Sequence, residues 1–107
     1  MSQQQQLLKK QELTVSQILR TYGKQFSQII GQYSDGHDGR CALGVIMSYY
    51  GWDGVDKIDA DKKLSTTLNA LDYTGIDKNL LIEMNDSGFI FDKIADYIDI
   101  ACNSRYC

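Results

Sequence analysis

Apolar residues fall at Leu8, Val15, Ile18, Leu19, Tyr22 and Phe26. Steps of three, four and seven line one side of an α-helix. The pattern crosses Gly23 and continues through Ile29, Ile30 and Tyr33. The preferred reading is one helix from Leu7 to Tyr33 with a weak point at Gly23. The other reading ends the helix near Tyr22 and makes Gln25 to Tyr33 extended, with Thr14 as a possible cap for a helix that starts at Val15. Residues 1–6, with their glutamine run, are read as a disordered tail or a polar first turn.

Ser34-Asp35-Gly36-His37-Asp38-Gly39 is turn chemistry. The run Cys41 to Tyr50 is nearly all apolar, which fits a buried helix or a buried strand. Its length and the small Ala42 and Gly44 favour a helix packed closely on a neighbour, stopped by Gly51. Trp52 to Ala60 reads as a second loop, with Asp61 capping a helix that carries Leu64, Leu68 and Leu71 and ends at Gly75. Asp77 caps a short helix with Leu80, Leu81 and Met84, broken by Asn85-Asp86-Ser87-Gly88. Phe91, Ile94, Ala95, Ile98, Ala101 and Cys102 give the clearest helical period. No repeat and no interdomain linker interrupts residues 1–107.

The fold expected is mostly all-α: one domain of four to five helices, with room for a short β-hairpin between residues 27 and 42. Its core should hold Ile18, Leu19, Tyr22, Leu43, Ile46, Leu68, Leu71, Leu81, Phe91, Ile94 and Ile98. Hydrophobic residues make up 43% and charged residues 23% of the chain, which argues against disorder. The absence of proline suits uninterrupted helices. A net charge of −3 and a pI of about 4.9 argue against nucleic acid as partner. There is no secretory leader and no run long enough to span a membrane. Three cysteines fit a reducing compartment better than a disulfide framework, so a cytoplasmic protein is expected.

Arg40-Cys41-Ala42-Leu43-Gly44 and Asn85-Asp86-Ser87-Gly88-Phe89-Ile90-Phe91-Asp92-Lys93-Ile94-Ala95-Asp96 carry a resemblance. Together they are similar to a group of small uncharacterised proteins of phages, bacteria and archaea. In that group an R-C-A-L-G helix start precedes N-D-x-G-x-S-F-x-x-I-A by some forty residues. The resemblance implies a shared fold and transfers no function. Ile90 stands where the group usually has a serine to cap the last helix, so Asp86 or Ser87 supplies that cap or the helix starts differently.

Several constellations bear on chemistry. Arg40, Asn85 and Asp86 are the polar residues of the resembling segments, and could line one site. The structural alternative makes Asn85 a left-handed C-cap, Asp86 the cap of the next helix, and Arg40 a partner of one of them. Cys41 at a helix N-terminus near His37 is the one nucleophile and base pair, outweighed by a core role for Cys41. His37, Cys41, Cys102 and Cys107 form a Cys₃His set at zinc-like spacing, but a frayed terminus and a core cysteine make zinc the weaker reading. The aspartate-rich loops lack the alternating ligands of a calcium loop. The last two helices approach helix-turn-helix spacing, but no recognition helix follows and Asp92, Asp96 and Asp99 would repel phosphates. Tyr49, Tyr50 and Trp52 form either the rim of the core or an interface.

The reading that follows is a non-enzymatic protein-binding or regulatory module of viral or mobile-element origin, without a cofactor. Its binding residues are Arg40, Cys41, Tyr49, Trp52, Asn85 and Asp86, and its partner is a protein, which includes a second copy. The alternatives are an acidic helix-turn-helix protein and a small thiol- or metal-dependent enzyme.

Overall fold

The structure, a computed structural model, describes residues 13–101. The glutamine run, Leu8, Cys102 and Cys107 lie outside these residues. Thr14 has extended backbone (φ −71°, ψ 164°) and caps α1 (Val15–Thr21). Its hydroxyl accepts the Gln17 N–H at 3.3 Å, and the Gln17 side chain accepts the Thr14 N–H at 2.9 Å. This reciprocal cap satisfies two of the donors a helix start leaves open.

An extended residue cannot lie inside a helix, so the continuous helix from Leu7 to Tyr33 is corrected to the shorter reading. Tyr22–Gln25 tightens into a 3₁₀ turn, and Phe26 is extended. Gly23 sits there because a Cβ would lie 2.8 Å from the Phe91 ring.

The extended chain forms β1 (Ser27–Gln28), which pairs with β2 (Gly39–Arg40) in parallel, Ser27 with Gly39 and Gln28 with Arg40. The hairpin allowed for in this region is thus replaced by a parallel pair. One antiparallel bridge, Ser34 with Arg40, closes the intervening loop. Asp35 folds that loop, its carboxylate accepting the N–H of His37 (2.8 Å) and of Gly39 (3.0 Å).

α2 (Ala42–Tyr49) is the central helix, buried from Ala42 to Met47. Gly44 is required by close approach, since a Cβ there would meet the Tyr33 carbonyl oxygen. α3 (Lys57–Thr74) starts earlier than the sequence suggested. Asp56, not Asp61, is the cap, accepting the N–H of Ile58 (2.9 Å) and Asp59 (3.2 Å). The first turns of α3 face solvent, so the apolar pattern that marks a helix begins only at Leu64. α4 (Lys78–Asp86) is capped by Asp77 as expected, and α5 (Phe91–Ala101) follows a short turn.

Among the described residues there are five α-helices and one two-stranded sheet. Ile18, Leu19, Leu43, Ile46, Leu71, Leu81, Phe91, Ile94 and Ile98 are buried together, with Tyr22 and Leu68 half-buried at the margin. α1 lies along α5, and Arg20 bridges them by pairing with Asp96 and with Asp99, the latter at 2.8 Å. No helix of the described residues is long and apolar enough to cross a membrane.

Candidate functional site

The two segments that carry the resemblance touch. Asn85, only 2% exposed, accepts the Ala42 N–H at 3.0 Å and a Gln28 side-chain N–H at 2.9 Å. Its amide nitrogen donates to the Ile29 carbonyl at 2.8 Å. Gln28 also donates to the Phe89 carbonyl, and its amide oxygen accepts the Phe91 N–H at 3.1 Å. Two amide side chains therefore tie β1, the start of α2, the end of α4 and the start of α5 into one polar node.

Two expectations are corrected here. Asn85 is helical, since only glycines have positive φ among the described residues, and the left-handed position after α4 belongs to Gly88. The first N–H of α5 is met by Gln28, from another element, rather than by Asp86 or Ser87, so of the two alternatives for this helix it is the different start that holds.

Arg40 turns away from Asn85 and Asp86. It is 4% exposed and donates to Ser48 Oγ (2.8 Å), Ser34 Oγ (3.1 Å) and the carbonyls of His37 and Gly39 (both 2.8 Å). Its guanidinium lies 4.6 Å from the Phe26 ring centroid and 5.7 Å from that of Trp52. No carboxylate pairs with it among the described residues, so hydroxyls, carbonyls and ring faces take over the hydration it loses.

Trp52 is buried and its indole N–H donates to the Asp56 carbonyl at 2.8 Å. The Tyr49 hydroxyl accepts the Leu13 N–H at 2.9 Å, and its ring meets Tyr22 and Tyr50 edge-on. These aromatics rim the core and do not form an exposed patch.

Of the residues nominated from the sequence, Cys41, Asn85 and Asp86 come together. They line a cleft of about 350 Å³ with Gly31, Gln32, Tyr33, Ala42, Leu43 and Ile82. Three pieces of chain build it: the bend after β1, the start of α2 and the C-terminal end of α4. Its walls are mainly apolar side chains and the Asn85 node holds its base. Ile30, next in the chain to Gly31, and Phe89, three residues beyond Asp86, are large exposed apolar side chains, at 59% and 49%. The hydrogen bonds from Asn85 to Ile29 and from Gln28 to Phe89 hold both stretches of backbone at this corner.

The electrostatics of the cleft oppose nucleophilic chemistry. Burial pushes the Cys41 thiol up from its ordinary range, and the Asp86 charge pushes it further in the same direction. Cys41 Sγ accepts the Gly44 N–H at 3.5 Å and so caps α2. His37 is exposed on the loop, where its backbone serves Asp35 and Arg40.

The described residues contain no cluster of His, Cys, Asp or Glu suited to a metal ion. Of the zinc set, only His37 and Cys41 are among them. The aspartates of the two loops act in turns. Asp35 and Asp53 are held below the usual carboxylate range by backbone N–H groups, those of His37 and Gly39 in one loop and of Asp56 and Val55 in the other.

Sequence reasoning missed Gln28, Tyr33, Leu43 and Ile82 as neighbours of one site. A lone glutamine in a polar stretch gives no periodic signal, and Ile82 lies beside the buried face of its helix. Comparison of the chain with protein-family models, with curated proteins and with solved structures gives no match in any of the three.

Proposed function

We propose that the chain is a protein-binding module and that the cleft between α2 and the end of α4 is its binding site. One observation carries this: a largely apolar concavity, with exposed Ile30 next in the chain to its Gly31 and exposed Phe89 three residues beyond its Asp86. Large apolar groups beside a cleft are what a macromolecular partner buries, and they extend beyond what a small molecule would cover. The raised Cys41 pKa favours the neutral thiol, which suits a wall of the cleft better than an attacking group.

The test uses the whole chain as bait in extracts of the organism that encodes it. Ile30→Ser and Phe89→Ser remove exposed apolar groups without touching the core. A partner retained by the native chain and lost from both variants supports the proposal. Identical capture by all three baits overturns it. Circular dichroism of the variants checks that the fold is intact.

A further inference from the structure

The last turn of α4 is charged against its own dipole. A helix C-terminus carries a partial negative charge and is normally complemented by Lys, Arg or His. The last turn of α4 has no basic residue and contains Glu83 and Asp86. Both are exposed, and neither makes an ion pair among the described residues, whose pairs are Arg20 with Asp96 and Asp99 and Lys63 with Asp59.

Asp86 brings this negative charge to the cleft, which it lines. Its charge adds to the larger effect of burial in raising the Cys41 thiol pKa. The fold thus sets an uncompensated anionic edge on a mainly apolar concavity. The helices Ala42–Tyr49, Lys57–Thr74 and Phe91–Ala101 likewise end without a basic residue, and it is the adjoining, mainly apolar cleft that singles out the end of α4.

We infer that the cleft receives a segment of a partner protein in which a Lys or Arg adjoins an apolar side chain. This rests on the cleft being the binding site. The apolar side chain enters among Tyr33, Leu43 and Ile82. The cation lies at the end of α4, where it meets Asp86, Glu83 and the negative pole of the helix. Such a contact at a partly exposed edge selects partners and speeds their encounter, and it weakens as salt rises.

The experiment is selection of a random peptide library on phage against the folded chain. The best peptides are then titrated into ¹⁵N-labelled protein. Expected are peptides with a basic residue beside an apolar one, and shifts confined to Gly31–Tyr33, Cys41–Leu43 and Ile82–Asp86. Asp86→Asn should weaken them by roughly fivefold to tenfold, and Glu83→Gln by less.

Peptides that bind the cleft without a basic residue, or that are indifferent to Asp86→Asn, overturn the inference and leave the protein-binding reading standing. Failure to select any peptide that shifts the cleft residues overturns both.

Discussion

Asn85 shows how one side chain can carry a junction. Its amide meets three groups from β1, the segment after it, and α2. An alanine there leaves the Ala42 N–H and the Ile29 carbonyl without those partners in a buried place. Asn85→Ala should therefore cost about 3 kcal/mol in urea unfolding. Gln28→Ala should cost about 1 kcal/mol, since the first N–H of α5 can recover water.

Gly44→Ala is expected to be at least as damaging as Asn85→Ala, because the new methyl would collide with the Tyr33 carbonyl and backbone cannot yield cheaply. These residues were only half legible in the sequence. Asn85 and Gly44 stood out by type and place, but a hydrogen-bond partner 43 residues away leaves no trace in local spacing. Arg40 misled for the same reason, as its acceptors are mostly backbone carbonyls and hydroxyls, which no residue pattern advertises.

Elements whose buried face spans their whole length were readable; those exposed at one end were not. α2, α4 and α5 bury apolar residues from their first turn, and their starts fall within a residue or two of expectation. α3 hides its first turns in solvent, so its true cap was mistaken for loop. Asp56→Ala should lower stability by about 1 kcal/mol in thermal or urea unfolding, whereas Asp61→Ala should change it by less than about 0.5 kcal/mol.

The Phe26 to Tyr33 stretch kept a helical spacing by coincidence. Phe26 and Tyr33 pack on the core, Phe26 also against Arg40, while Ile30 faces out, a split that a single helix face does not provide. The loops around it add an acid sensitivity. The folded pKa values of Asp35 and Asp53 lie below their ordinary 3.8. Their contribution is complete above that value and is lost as pH falls through the folded one. Thermal midpoints should hold steady down to about pH 5 and decline below it, and Asp35→Asn should flatten that decline.

At the scale of the whole molecule, charge is arranged more than it is summed. Asp96 and Asp99 turn an acidic strip of α5 toward Arg20, and Asp92 continues that strip into solvent. A DNA duplex offered to this face should give no salt-sensitive shift on a gel. The Cys41 thiol, mostly buried and disfavoured as thiolate, should react slowly with a thiol reagent at neutral pH, measured on the Cys41 peptide by mass spectrometry.

The eighteen-residue α3 sinks only Thr67 and Leu71 into the interior, whereas shorter α2 is enclosed along six consecutive residues. Amide protons on the long helix are accordingly expected to trade with deuterium through a partial, low-energy detachment. Those of α2 and the inner side of α5 should wait for the whole domain to come apart. The longest rod among the described residues is thereby expected to be released early, between joints that carry Gly54 and Gly75.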